Sequence, residues 1–194
     1  MAERNTVLRS LHDVGLAAWF GGSLMGAVGL NGAARAEGGT EQSSRRFESA
    51  GWAMWTPVNA AAIAAHLVGS VGLLEANAAR VAGQRGVGAS SLAKGAVTAA
   101  ALAVTAYSRV LGKKVQRTVP PARQEGADQR EHGWDRQEQE RDQEEARAAR
   151  RQLTVLQWAV PALTGGLVVL NALHGEQQRP WQQIRGRLQH VLGH

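Results

Sequence analysis

The sequence predicts an all-α fold: a four-helix transmembrane bundle with a polar helical loop between the third and fourth helices and an amphipathic C-terminal helix lying along the membrane surface. Three observations predict it. Four stretches, residues 14–34, 51–74, about 91–111 and 152–175, are nearly free of charge in a 194-residue chain of which 20% is charged. Each is close to the roughly 20 helical residues that cross a bilayer core about 30 Å thick. The first, second and fourth also lack the polar stripe that a helix of a soluble bundle turns to water; between residues 14 and 34 the polar side chains are Trp19, Ser23 and Asn31. The whole chain reads as a single membrane domain, 1–194, with helices at about 12–34, 51–75, 91–111 and 152–174, a charged hydrophilic loop at 113–151 and a tail at 179–194.

The first span, "LHDVGLAAWFGGSLMGAVGLNGAARA", ends in Ala34-Arg35-Ala36, the small-x-small form of a signal-peptidase site. Its flank carries Glu3 and Asp13 beside Arg4 and Arg9, and its apolar run exceeds an ordinary signal core. Retention as a helix is therefore the expectation, with cleavage as the alternative. Gly22 and Gly26 stand in a GxxxG spacing suited to close helix approach. The second span opens on Trp52 and Trp55, rings suited to the headgroup level, with Pro57 expected in its first turns, where a missing amide is best tolerated. Ala60 and Ala64 offer a second small surface for helix packing.

The third span is the least apolar, bounded by Lys94 and Arg109, whose stems can lie in the apolar layer while their charges reach the interfaces. Residues 113–151 hold ten Lys or Arg against nine Asp or Glu, and after Pro120-Pro121 the run "DQREHGWDRQEQERDQEEARAARRQ" is expected to form a solvated helix leading into the fourth span, with pairs such as Glu138 with Arg141 and Arg141 with Glu145. The fourth span combines Pro161 with Gly165-Gly166, an expected bend and packing point. After Gly175, Trp181, Ile184, Leu188 and Leu192 fall near one helical face, the pattern of a surface-lying helix.

The formal charge of +6 and pI near 10.9 come from scattered charges of both signs. They fit loops beside anionic headgroups, and no nucleic-acid signature accompanies them. There is no cysteine, hence no disulfide or thiolate chemistry. The 19 arginines against 3 lysines suggest a GC-rich bacterial genome. The expected partners are the lipid bilayer and, through small-residue helix faces, a homo- or hetero-oligomer; nucleic acid is not expected. Of the basic residues, fourteen fall on the side of the first and third loops and eight on the side of both termini. The positive-inside rule then leans toward both termini outside a cell membrane.

No Walker loop, HExxH or Gly-x-Ser-x-Gly motif is present, so no catalytic residue is assigned and a non-enzymatic role is expected. The remaining chemistry is histidine. His12 starts the first span, His66 lies deep in the second and His174 ends the fourth, and because alternate spans reverse direction all three fall toward one membrane face. His66 sits about 12 Å below its helix end, where a bare ring is costly, so it is expected to point inward toward Asn59, Gln157 or Asn171. The structural reading makes these interfacial and hydrogen-bonding residues with no cofactor and no metal. The alternative is that His12, His66 and His174 bind haem or copper, which imidazole suits.

"LHDVGLAAWFGG" resembles the first-helix pattern of small membrane proteins related to the copper-resistance D family and, more distantly, to bacterial membrane protoporphyrinogen oxidases. That resemblance implies a haem-associated role for His12. The helices lack the basic motifs expected around a porphyrin substrate, so it does not imply the oxidase activity. The arrangement "GWAMWTPVNAAAIAAHLVG…LGKK…LQWAVPALTGGLVVLNAL" resembles four-helix integral membrane proteins of actinobacteria, a family with no assigned activity to carry over.

Overall fold

The computed structural model describes residues 5–76, 78, 85–117 and 133–177. Helix α1 (Thr6–Met25) runs through one π turn (Gly26–Leu30) into α2 (Asn31–Glu37), making a single rod. Helix α3 spans Glu41–Ala76, α4 Arg85–Arg117 and α5 Gly133–Gln177. The described residues form helices and no strand. All four rods contain an apolar window long enough to cross a membrane, so the chain is an all-α, multi-pass membrane bundle. The surface-lying helix expected at 179–194 lies outside the described residues.

The turn between the first two rods shows local chemistry at work. Gly39 adopts φ 66°, a left-handed conformation that glycine takes without a Cβ penalty. Thr40 follows as the cap of α3: its Oγ1 accepts from the Ser43 amide at 3.1 Å, satisfying one of the orphan donors of the first turn. Because α3 starts here, Pro57 is not in the first turns of its helix. It sits well inside it, where it removes one intrahelical hydrogen bond.

The rods also outrun the apolar stretches. At 1.5 Å per residue α5 is about 68 Å long, so its first part stands beyond the hydrocarbon layer as the charged helix the sequence predicts. There it packs on the end of α4 through Ala146 and Ala149, both buried, with Leu111 buried on α4. Glu145 is held by Lys114 at 2.6 Å across this pair of helices, rather than by Arg141 on its own helix. Tyr107 donates to Gln152 Oε1 at 2.6 Å, extending the same seam.

Helix α1 packs along α3, α4 packs along α5, and α1 against α5 joins the two pairs. Trp19, Ala62, Ala101 and Val160, one from each rod, meet at the centre. Trp19 and Ala101 are wholly buried, so one indole fills the space that the alanines leave. The outward faces remain apolar: Val14, Met25, Met54, Val68, Val155 and Val169 are all exposed. An uncovered apolar surface of this kind is what a helix bundle presents to lipid.

Candidate functional site

The site grows from one short pattern used twice. His12-Asp13-Val14-Gly15 on α1 and His66-Leu67-Val68-Gly69 on α3 put a histidine and a glycine three residues apart on the same face of each helix. The helices run antiparallel, and each glycine lies against the backbone of the other helix's histidine. A Cβ on Gly15 would stand 2.5 Å from the Ala62 carbonyl oxygen and 2.5 Å from the His66 amide nitrogen. A Cβ on Gly69 would stand 2.6 Å from the Leu8 carbonyl oxygen and closer still to the His12 amide nitrogen. Leu8 and His12 on one helix thus correspond to Ala62 and His66 on the other, the relation of a local two-fold axis between them.

That close approach brings the two imidazoles together. Their ring centroids are 4.5 Å apart with planes inclined at 42°. His66 Nδ1 lies 3.1 Å from the backbone carbonyl oxygen of His12, and His12 Nδ1 lies 2.7 Å from Asp13 Oδ1. His66 is 2% exposed, and its Nε2 is buried with no hydrogen-bond partner. The Trp19 ring stands 6.2 Å from His66, and its Nε1 is likewise buried without a partner. Asp13 is within electrostatic reach of Lys94 on α4, which places the third rod at the same end of the bundle.

His66 therefore points inward as expected, but toward His12 on α1 and not toward Asn59, Gln157 or Asn171. Gln157 is engaged elsewhere: its Oε1 accepts from Asn31 Nδ2. Asn31 Oδ1 in turn accepts from Trp52 Nε1 at 2.9 Å, and its carbonyl accepts from Arg35 Nε at 2.9 Å. This polar node ties the first rod to α3 and α5 at the end opposite the histidines. Asn31 follows the π turn directly, and the extra residue absorbed in that turn sets everything after it back by about 100° around the helix, relative to an unbroken α-helix of the same sequence. His174 lies in the final turns of α5; the environment of its side chain is outside the described residues.

The predicted packing residues divide by what they meet. Gly22 faces the Trp55 indole and Gly26 the Trp52 indole. The GxxxG of the first rod thus receives two tryptophans of α3 rather than a second helix backbone, and these half-buried indoles turn toward that rod. Gly165 is 3.0 Å, by its missing Cβ, from Phe20, whereas nothing lies within 4 Å of that position at Gly166. Ala60 and Ala64 are exposed. They stand two residues either side of Ala62, about 200° around the helix from the face that meets α1. Within this bundle the close backbone contact is made by Gly15 and Gly69, which the GxxxG and small-surface patterns did not single out. The repeated His-x-Val-Gly was the available signal.

No third His, Cys, Asp or Glu joins the histidine pair as a metal-ligating group among the described residues. No family model matches this chain, and neither a curated protein nor a solved structure is significantly similar to it. What the fold and site define is a class: a four-helix membrane bundle with a glycine-spaced pair of histidines near one end, His66 buried and His12 half-buried.

Proposed function

We propose that the chain is a non-enzymatic structural or accessory component of a bacterial cytoplasmic membrane, with both termini outside. The observation that carries this reading is the use made of the bundle interior. Trp19 fills the centre against all four rods, and the closest backbone contacts are between helices at Gly15 and Gly69. Side chains and backbone there serve helix association, which in lipid depends on close packing and interhelical hydrogen bonds. The test is the absorption spectrum of the full-length protein purified in mild detergent. A monodisperse protein without a visible chromophore is expected; a visible band lost in His66→Ala overturns the reading in favour of a redox role.

A second reading has its own observation. The unpartnered, buried Nε2 of His66 beside His12 favours a haem- or copper-binding membrane redox or transport protein. The two branches differ in how the ring spacing suits them. Imidazoles on opposite faces of one iron are separated by two bonds of about 2 Å, with centroids about 6 Å apart. The observed 4.5 Å is too short for a haem held between these rings, and a copper ion shared by them would have to be completed by ligands outside the pair.

A further inference from the structure

We propose that water enters the bundle between α3 and α4 from the side of the Gly39 turn, in a polar inlet that runs beneath Arg109 and ends at Trp19. The groups that bind this water are Trp55, Asn59, Thr105 and Ser108, and the inference depends on neither reading above. It begins with the hydroxyl groups. Ser23, Thr56, Ser70, Thr154 and Thr164 each donate to the backbone carbonyl four residues earlier, the local way for a helix to satisfy such a group. Thr105 and Ser108 do not. Both of their hydroxyl oxygens are buried without a partner, as are Trp55 Nε1 and Asn59 Oδ1.

These four atoms fall in one layer of the bundle. Helices α3 and α4 are tied at two levels, by Ala62 and Ala101 in the central cluster and by Arg109, which donates to Thr56 Oγ1. Asn59 lies midway between those levels on α3 and Thr105 midway on α4, with Trp55 and Ser108 at the Arg109 level. At about 100° per residue, Thr105 and Ser108 stand within about 40° of Ala101 around α4, and Trp55 and Asn59 within about 60° of Ala62 around α3. All four are thus on the inward faces, over an axial depth of about 10 Å. They offer one donor, one acceptor and two hydroxyls that can act as either. Water, which needs two to four polar partners, satisfies that set; a lipid chain satisfies none of it.

The packing leaves a way in. Helix α1 packs along α3 and α4 along α5, and no comparable packing joins α3 to α4 among the described residues. Gly112, one turn past Ser108 on the same face, is half-buried yet has nothing within 4 Å of its missing Cβ. At this end the long side chain of Arg109 spans from α4 to α3, and Arg109 is exposed, so the route reaches the aqueous surface. The wholly buried indole of Trp19 closes its inner end and separates it from His66.

The chain has no cysteine, so single thiols can be placed in it and probed in lipid nanodiscs with a small charged methanethiosulfonate, which reacts with the hydrated thiolate. Ser108→Cys and Thr105→Cys are expected to react about tenfold faster or more than Ala103→Cys, exposed on the outer face of α4, and Ala101→Cys, wholly buried beyond the inlet. Arg109→Ala, which removes the bridge, should speed Thr105→Cys further. Water-edited solid-state NMR of the unaltered protein gives a readout independent of any variant: magnetisation from water should reach Thr105 and Ser108 well before Ala103. Thr105→Val, close in shape, is expected to lower the thermal midpoint by withdrawing a partner from bound water; a rise would reveal a dry, uncompensated hydroxyl and overturn the proposal. So would Ser108→Cys and Thr105→Cys reacting as slowly as Ala101→Cys and Ala103→Cys, or water transfer no faster to Thr105 than to Ala103.

Discussion

Gly15 and Gly69 occupy equivalent positions on two antiparallel helices, each pressed against the backbone of the histidine that precedes the other. This reciprocity makes the α1–α3 contact a backbone contact at two points, and the histidine pair lies between them. In lipid, where apolar surface gains nothing by leaving solvent, contact of this closeness is a main source of helix association.

Adding a methyl group at either point should therefore be costly. Gly15→Ala and Gly69→Ala are each expected to destabilise the bundle by about 1–3 kcal/mol, the usual cost of overpacking. Gly166→Ala, where nothing lies within 4 Å of the added carbon, should be close to neutral. Thermal unfolding in detergent compares the three, and equal effects would show that the α1–α3 approach is not a special contact.

The polar node around Asn31 predicts a second pattern. Asn31→Ala strips Gln157 and Trp52 of their partner, at an expected cost of about 1–2 kcal/mol for interhelical hydrogen bonds in a membrane. The emission of the indole at Trp52 should shift with it, read against a background in which the other tryptophans are replaced by phenylalanine. Asn31→Gln, with a longer side chain, should recover little.

The π turn absorbs one extra residue, so deleting Val28, an exposed residue of that turn, is expected to convert it to regular helix with Asn31 still in phase. The deletion should therefore cost less than Asn31→Ala in the same thermal unfolding measurement, because it leaves the hydrogen bonds of Asn31 in place. A cost equal to that of Asn31→Ala would sink this account.

Trp19 meets a buried residue from each of the other three rods at the centre of the bundle. Trp19→Ala should cost about 3–5 kcal/mol through the cavity it leaves, and Trp19→Phe distinctly less. Four crossings further require that Gly39 and the N-terminus lie on opposite sides of the membrane. Paired reporter fusions at those two points check this, and signals from one side only would contradict the four-span architecture.

The four spans were legible because the requirement behind them is local. A helix that crosses a bilayer needs about 20 residues without charge, and that is visible along the chain whatever its neighbours do. The charged helix before the fourth span was legible for a similar reason, its mixed-sign pattern lacking an apolar face. The histidines were placed at one end by counting alone, since the alternation of spans sets depth. Their pairing was not, because depth does not specify rotation about the helix axis.

Rotation is what only the tertiary structure decided. Helix α3 turns Ala62, His66 and Gly69 toward α1, which sends Ala60 and Ala64 outward even though they are as small as any packing residue. Trp52 and Trp55 turn inward because Gly26 and Gly22 leave room for their rings and Asn31 offers an acceptor. Asn31 faces that acceptor role after a π turn in "GAVGL", a stretch with no local mark of one. The sequence by itself determined how many helices cross and roughly where each begins and ends, because transfer into lipid acts on each segment alone. The tertiary structure decided which faces meet, and hence that His12 and His66 form a pair, because helix phase is chosen by the fit of two surfaces at once.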